Sequence, residues 1–387
     1  MQLNACAFVA LVASVCVANV AAADEKAAIT ELPRPEVTIH LPDGEKAGRV
    51  LISPDGSKVA VASRDGGTLR LFDARRGSLE QTLRGHKKDI TSLAFSPDGK
   101  QLVTGGFDGT VRIWNASSGV EVRRVQLADD AFVAVAVSPD GKMLAIGHAT
   151  VSGRLDSPLG KSYPVFDYNG ALQVQGLADG KVVPEFKSGG KAVFAVAYSP
   201  DGKTLAVERY SPIDLWDTTS RSITRTLDND GTSTIAFLTF SRDGRSLFTE
   251  NSGACSWAVA WEWNVAGERA PIQFLGPDGG SPSAEVFVLA DNRTILARAE
   301  NGINVFDRQY HTSLTAEQER SESFQTTATF ERENRRRLGI LGCGKTLHID
   351  GIDVSSDAKS LVASLDDGTV RIWNLAAALK PILDGRR

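Results

Sequence analysis

Short apolar runs separated by polar turns repeat along most of the chain. In Gly85 to Asn115, GHKKDITSLAFSPDGKQLVTGGFDGTVRIWN, three runs rich in aliphatic and aromatic residues alternate with Ser, Pro, Asp and Gly. Runs of this composition bounded by Pro-Asp-Gly and Asp-Gly predict β-strands joined by tight turns. We expect SPDG to be the hairpin turn between the first two strands, because Pro presets φ, Asp caps the turn and Gly adopts positive φ.

The same pattern recurs seven times. Aligned on this turn, the units carry Ser53, Ser96, Ser138, Ser199, Ser241, Leu289 and Ser355. Three of the six steps between them are 42 or 43 residues long, and the longer steps predict insertions. Four antiparallel strands repeated seven times at about 40–45 residues per unit indicate an all-β fold, a seven-bladed β-propeller of four-stranded blades.

The second unit resembles a WD repeat, with Gly85-His86 as its Gly-His element and Trp114-Asn115 in place of Trp-Asp. The seventh unit matches well and the third and sixth weakly, and the resemblance covers roughly residues 36–375. It implies a hydrogen-bonded quartet of His86, Thr104, Asp108 and Trp114. We expect a structural role for the quartet, since a buried indole and a buried imidazole both need partners.

The pattern also predicts how the ring closes. The last unit ends after its third strand, and PEVTIHLP at 35–42 precedes the first complete unit. We expect this segment to supply the missing outer strand of the seventh blade, which removes an open sheet edge. The propeller then spans residues 35–376, with a linker at 24–34 and a C-terminal tail at 377–387.

The N-terminus has a different composition. Residues 5–23 carry no charge and end in Ala21-Ala22-Ala23. This is typical of a secretory signal peptide over 1–23, so we expect export to the periplasm or the medium. Because MQLN has no Lys or Arg, an uncleaved membrane anchor through residues 5–23 is the alternative. Cys255 and Cys343 would remain after cleavage, either paired by a disulfide or as separate thiols.

Two insertions distinguish this chain. One covers residues 149–170, between the second and third strands of the third unit, and the other covers 308–346, between the third strand of the sixth unit and the first strand of the seventh. Second-to-third and fourth-to-first connections of a propeller open on one face, so we expect both insertions, the second at least in its later part, at the same rim. Long loops on a rigid scaffold often bind partners, although they can also be tolerated decoration. The candidate partner-binding residues are Arg154, Tyr163, Tyr168, Arg335, Arg336 and Arg337.

The sequence gives few indications of nucleic-acid binding, metal binding or catalysis. A net charge of −4 gives no basic field for nucleic acid. No two of the five histidines have metal-ligand spacing, and the sequence has no nucleophile elbow, phosphate loop or H-E-x-x-H. We therefore expect no catalytic residues, no metal and no cofactor. Trp257, Trp261 and Trp263 alternate on one strand, which suits either a carbohydrate platform or packing between blades.

These patterns favour a non-catalytic, monomeric scaffold that binds another protein. The alternatives are an exported propeller enzyme, a hydrolase or lyase with its site at the mouth of the central channel, and a carbohydrate-binding module. An enzyme should bring ionisable side chains with shifted pKa values together at that mouth. A binding platform should instead show an apolar or aromatic patch among the insertions.

Overall fold

The computed structural model describes residues 29–42, 44–64, 66–156, 162–186, 190–209, 212–227, 237–249, 258–267, 272–275, 285–299, 302–308, 337–342 and 347–384. Outside these residues lie the predicted signal peptide, Cys255, Trp257, Arg335, Arg336 and Cys343. None of the helices in the described part of the chain is long and apolar enough to cross a membrane.

The strands form seven antiparallel blades, which confirms the predicted propeller. Two short strands come first, β1 (Ile29–Glu31) and β2 (Val37–His40). The first blade contains β3 (Ala47–Ile52), β4 (Lys58–Ser63), β5 (Thr68–Asp73) and β6 (Leu79–Arg84). The second contains β7 (Ile90–Phe95), β8 (Gln101–Gly106), β9 (Thr110–Asn115) and β10 (Glu121–Gln126). The third contains β11 (Ala131–Val137), β12 (Met143–Asp156), β13 (Ser162–Gly176) and β14 (Val182–Val183).

The remaining blades follow the same order. The fourth contains β15 (Ala195–Tyr198), β16 (Thr204–Glu208), β17 (Ile213–Asp217) and β18 (Ser222–Leu227). The fifth contains β19 (Leu238–Phe240), β20 (Ser246–Thr249), β21 (Ala258–Asn264) and β22 (Ile272–Leu275). The sixth contains β23 (Val286–Val288), β24 (Thr294–Ala299), β25 (Gly302–Asp307) and β26 (Arg337–Gly342). The seventh contains β27 (Ile349–Val354), β28 (Ser360–Leu365) and β29 (Thr369–Asn374), followed by the helix α1 (Leu375–Asp384).

The recurring tetrapeptide is the turn between the first and second strands, as predicted. In the second blade the Ser96 hydroxyl donates to Asp98 Oδ1 at 2.6 Å, and the same oxygen accepts the Lys100 N–H at 3.1 Å. Gly99 has φ of 69°, which glycine adopts without steric cost. The Ser–Asp bond recurs in the other blades with this motif, at 2.6–2.7 Å, in the pairs Ser53–Asp55, Ser138–Asp140, Ser199–Asp201, Ser241–Asp243 and Ser355–Asp357.

The N-terminal segment closes the ring, as expected. Strand β2 pairs antiparallel with β29, so that the outer strand of the seventh blade comes from the opposite end of the chain. One apolar cluster then joins the seventh blade to the first, with Ile39 and Ile372 packed against Val50 and Phe72. The closure is therefore held by both backbone pairing and a shared core.

Two segments differ from the expected boundaries. The assignment of 24–34 as a linker is wrong for Ile29–Glu31, because β1 pairs in parallel with β26 as a fifth strand of the sixth blade. The assignment of 377–387 as a tail is wrong for its described part, which lies in α1. Ala378, Leu379 and Ile382 of this helix are buried in the cluster that contains Leu341 of β26.

The two insertions emerge on opposite faces. We call the face with second-to-third and fourth-to-first connections the upper face, and the face with the Ser-x-Asp turns the lower face. Residues 149–170 lengthen β12 and β13 into a hairpin that extends from the upper face. Because β25 ends at Asp307 and β26 begins at Arg337, most of the second insertion joins a third to a fourth strand. The described ends of that part lie at the lower face. The later residues, 343–346, join a fourth to a first strand, the connection for which the common rim was predicted, and they lie outside the described residues.

Closure of the ring through β2 predicts how substitutions on this strand change the free energy of unfolding. Ile39 is buried in the shared cluster, whereas its neighbour His40 on the same strand is exposed. We expect Ile39→Ala to lower the free energy of unfolding by about 2–5 kcal/mol, because it opens a cavity between the first and seventh blades. His40→Ala, the matched control, should change it by less than about 0.5 kcal/mol. Urea unfolding measures both, and equal stabilities of the two variants would contradict closure through β2.

Candidate functional site

The four quartet side chains share a buried hydrogen-bond chain in the second blade. Trp114 Nε1–H donates to Thr104 Oγ1 at 3.0 Å, and Thr104 Oγ1 lies 2.7 Å from His86 Nε2. His86 Nδ1 lies 3.0 Å from Asp108 Oδ1, and since a carboxylate only accepts, Nδ1 carries the proton. The chain ties the connection before β7 to β8 and β9, inside the blade and away from any cleft.

Asp108 is the electrostatic anchor of this chain. Burial by itself raises its pKa, but hydrogen bonds from His86, the Lys87 N–H and Thr110 outweigh burial and hold the pKa of Asp108 well below its usual range. The carboxylate therefore stabilises the folded blade in its charged form. This is a structural arrangement, with no open position beside it for a substrate.

The fifth blade repeats part of the quartet. Trp263 Nε1–H donates to Thr249 Oγ1 at 3.0 Å. The signal for this pair was available, because Thr249 follows Ser241 by the same interval that separates Thr104 from Ser96. Trp261 stacks on Trp263 with 6.1 Å between ring centroids, and both pack into the core of the fourth and fifth blades. The described part of the tryptophan stripe thus fills space between blades and offers no carbohydrate platform.

A central channel of about 280 Å³ runs where the seven first strands meet. Its walls divide into two sectors. Two alanines, Ala134 of the third blade and Ala195 of the fourth, are among the residues that line the channel. Small side chains therefore occupy positions where the first strands crowd together.

The aromatic sector comes from blades three to six. It consists of Phe132, Phe194, Phe237 and Phe287, all lining the channel. Phe132 and Phe194 lie 6.0 Å apart between centroids, and Phe237 and Phe287 lie 6.2 Å apart. Sequence reasoning missed these residues, although the first-strand runs AFVAVAV, AVFAVAY and AEVFVL contain Phe132, Phe194 and Phe287.

The β12–β13 hairpin leans against this aromatic sector. Phe166 of β13 meets Phe194 edge-to-face with 5.0 Å between centroids, and it also contacts Phe132 at 6.3 Å. Its neighbour Val165 is 43% exposed. Arg154, Tyr163 and Tyr168 lie on the two strands of this hairpin, and their role in binding stays a prediction.

The remaining candidates lie elsewhere. Arg337 is the first residue of β26 and pairs with Phe306 at the lower end of the sixth blade. It does not share a face with the hairpin tip. Arg335 and Arg336 precede it, outside the described residues. Arg337, the described residue of the arginine run, therefore lies at the opposite face of the ring from the hairpin.

The charged sector comes from the sixth, seventh and first blades. Glu285 faces two arginines, with Arg298 Nε at 3.7 Å and Arg49 Nη1 at 3.9 Å, and it accepts the Ile352 N–H. Gly351 lies beside this carboxylate, where an added Cβ would be 3.6 Å from Glu285 Oε2. The same Cβ would lie only 3.1 Å from the Gly48 carbonyl oxygen and 3.2 Å from Ser364 Oγ, so the glycine allows the first strands of the seventh and first blades to approach closely.

Asp353 is the second carboxyl group of this sector. It accepts the Ile52 N–H at 2.7 Å and the Val354 N–H at 2.8 Å, so it links the first strands of blades seven and one. Burial raises the pKa of Asp353 to about 7, the two N–H donors oppose that rise, and the charge of Glu285 adds to it. The pKa of Asp353 is thus raised, whereas that of Asp108 is lowered.

The channel mouth meets the criterion for a binding platform more fully than the criterion for an enzyme. It has an aromatic patch next to an insertion, whereas Asp353, the carboxyl group whose pKa burial raises, already accepts a backbone N–H at each of its oxygens. Among the described residues, no three His, Cys, Asp or Glu side chains are grouped to hold a metal ion.

Comparisons with known proteins agree with the repeat pattern. The family model for WD domain, G-beta repeat matches residues 77–115 and 341–374, in the second and seventh blades. An uncharacterized WD repeat-containing protein of Synechocystis sp. is 38% identical over 61 residues, which cover 16% of this chain and 18% of that protein. Periodic tryptophan protein 2 homolog of Neurospora crassa is 32% identical over 71 residues, 18% of this chain and 8% of its own length. Coronin-7 of Rattus norvegicus is 40% identical over 60 residues, 16% of this chain and 6% of its own length. The chain thus spans less than a fifth of each of these relatives.

A solved structure resembles nearly the whole chain. Kuenenia stuttgartiensis Hydrazine Synthase superposes with a TM-score of 0.65, covering 92% of this chain and 99% of that chain. The sequence identity is 16%, so the similarity concerns the fold alone.

Asp108 gives a pH-dependent prediction. Since its folded pKa is lowered, its contribution is present above the ordinary carboxyl pKa and is lost as pH falls below it. We expect Asp108→Asn to cost about 1–3 kcal/mol at pH 7, and this cost should shrink below about pH 4. Asp89→Asn, at an exposed position in the same connection, is the control. Urea unfolding between pH 3 and 7 checks it, and a cost that grows toward acid would contradict the assignment.

Asp353 gives the opposite prediction. Between its unfolded pKa of 3.8 and its folded pKa of about 7, the folded state binds the extra proton, so stability falls as pH rises through this window. We expect the wild type to lose up to about 1.4 kcal/mol per pH unit relative to Asp353→Asn, whose side chain does not titrate.

The comparison uses urea unfolding from pH 4.5 to 8, with Asp129→Asn, at an exposed site, as the control. Asp353→Asn is expected to be less stable throughout, because an amide oxygen replaces only one of two acceptors. The test is the slope: parallel curves for wild type and Asp353→Asn would show that Asp353 does not titrate in this range.

Proposed function

We propose that this chain, a seven-bladed β-propeller that contains WD repeats, is a non-catalytic scaffold that binds another protein through its upper face. The binding surface comprises the β12–β13 hairpin and the adjacent channel mouth. Residues 5–23 resemble a signal peptide, so the proposed scaffold acts after export.

The proposal rests on the packing of the Phe166 ring against the rings of Phe132 and Phe194. A two-stranded hairpin that projected freely would lose conformational entropy on binding. Here three aromatic rings from two blades fix its base, and Val165 beside them stays exposed. The scaffold thus offers an apolar surface that is ordered before a partner arrives, which lowers the cost of association.

The structure supports binding over catalysis at this mouth. A general acid or base has to reach the proton of a substrate, within hydrogen-bond distance or through one water. Both oxygens of Asp353 already accept backbone N–H groups, and Glu285 is engaged by two arginines and the Ile352 N–H. Similarity to Hydrazine Synthase does not favour an enzyme either, because at 16% identity it extends to the fold only.

Shortening the hairpin tests the proposal. A variant with residues 151–168 replaced by Asn-Gly keeps the four-stranded part of the third blade and restores a two-residue turn. The matched control, Val120→Ser with Val122→Ser, removes two valines that are 61% and 58% exposed on the outer strand of the second blade. We expect both proteins to fold, as monitored by circular dichroism and thermal unfolding.

The binding probe is a phage-displayed library of random peptides, panned on the immobilised wild type. Peptides enriched on the wild type should bind the shortened variant at least about tenfold more weakly and the valine control unchanged, because the loss of a central apolar anchor costs that much or more. Absence of enrichment over an unrelated immobilised protein would overturn the proposal, as would equal binding to the shortened variant.

A further inference from the structure

Arg49 is the exposed cation of the channel mouth. Its side chain is 37% exposed, and Arg49 Nη1 lies 3.9 Å from Glu285 Oε1 in an ion pair. Across the described residues, the structure shows no hydrogen bond donated by the Arg49 guanidinium. A guanidinium has five N–H donors arranged to take a carboxylate in a bidentate manner. The donors of Arg49 are therefore available to a ligand at the mouth.

The charges around Arg49 favour an anion. Arg49 and Arg298 both face Glu285, so the exposed arginine shares this carboxylate with a buried one. Burial raises the pKa of Asp353 to about 7, so this carboxyl group adds less than a full negative charge near neutral pH. Farther along the same blade, Asp350 is matched by Arg64 at 2.8 Å. The exposed positive charge at this wall is therefore that of Arg49, which shares its carboxylate partner.

The wall across the channel favours an apolar group. Phe132, Phe194 and Phe237 line it, from the third, fourth and fifth blades, while Arg49 belongs to the first. The channel volume of about 280 Å³ is slightly below the range of about 300–1,000 Å³ that is typical of sites for drug-sized molecules. Its size suits one or two amino-acid side chains.

We propose that the channel mouth takes a partner segment in which an aromatic side chain is followed by an acidic one. The aromatic side chain packs on the phenylalanine sector, and the carboxylate pairs with the Arg49 guanidinium. This inference rests on the proposed function and specifies the chemistry of the partner. It assigns the carboxylate to an internal Asp or Glu of the partner, and the peptide with a free C-terminal carboxylate tests the other source of the same chemistry.

The test uses short amidated peptides labelled with fluorescein and followed by fluorescence anisotropy. The core sequence is Gly-Ser-Phe-Glu-Ser-Gly, with versions in which Glu becomes Gln or Lys, or Phe becomes Ser. A further version has Gln in place of Glu and a free C-terminal carboxylate. The proteins are the wild type, Arg49→Gln, and the control Arg75→Gln, which alters an exposed arginine at the lower end of the same blade.

We expect the wild type to prefer the Phe-Glu peptide over the Phe-Gln peptide by about tenfold, the usual scale of a charge-assisted hydrogen bond. Arg49→Gln should abolish this preference while binding the Phe-Gln peptide as the wild type does. Arg75→Gln should keep the preference, and replacing Phe by Ser should weaken binding to every protein. Unchanged thermal unfolding of Arg49→Gln excludes loss of the fold as the cause.

Several outcomes would overturn the inference. They are equal binding of the Phe-Glu and Phe-Gln peptides, a preference for the Phe-Lys peptide, a preference that survives Arg49→Gln, no binding at all, or tighter binding of the free C-terminal carboxylate. If library peptides still bind the upper face, the scaffold function stands and only the partner chemistry is wrong. If neither library peptides nor these peptides bind, the proposed function fails as well.

Discussion

The junction between the seventh and first blades is the constraint on which the rest of the molecule depends. Strand β2 completes the seventh blade, and Ile39 and Ile372 pack against Val50 and Phe72 of the first. Deeper in the ring, Asp353 accepts the Ile52 N–H, and the Ser364 hydroxyl donates to the Gly48 carbonyl at 2.7 Å. Blade six joins this junction through Glu285, which accepts the Ile352 N–H of the seventh blade and pairs with Arg49 of the first. The channel mouth is thus a product of closure.

Much of the fold was readable because it is encoded locally and repeated. The Ser-x-Asp-Gly turn forms its own side-chain hydrogen bonds, so each copy marks a reversal between two strands. Strand β1 was missed because three residues in parallel pairing carry no turn signal. Helix α1 was missed although its buried residues, Leu375, Ala378, Leu379 and Ile382, have helical spacing; Pro381 within it argues against a helix. The position of β26 within the second insertion was not predicted, because this strand follows a long segment without a repeat signal.

The candidate site was harder to predict, since it is assembled from distant strands. Phe132, Phe194 and Phe237 occupy different heights relative to their turns, and only the registers of the blades show that they share a wall. The sequence also does not indicate the protonation states of the buried carboxyl groups. Asp108 and Asp353 are both buried, yet three kinds of donor lower the pKa of the first while burial raises that of the second. A rigid ring can hold both arrangements because neither depends on a mobile loop, and the same rigidity suits a surface that binds with little reorganisation.

Native-state hydrogen exchange tests the central claim most directly, since it reports the free energy of opening at single backbone N–H groups. The Ile52 and Ile352 N–H groups, which bond to Asp353 and Glu285, report on the junction that closes the ring. If closure holds the molecule together, both should exchange only through global unfolding, with the same free energy of opening as β8 and β9 of the second blade. Exchange of Ile52 and Ile352 by local opening, at a much lower free energy while β8 and β9 stay protected, would contradict the account.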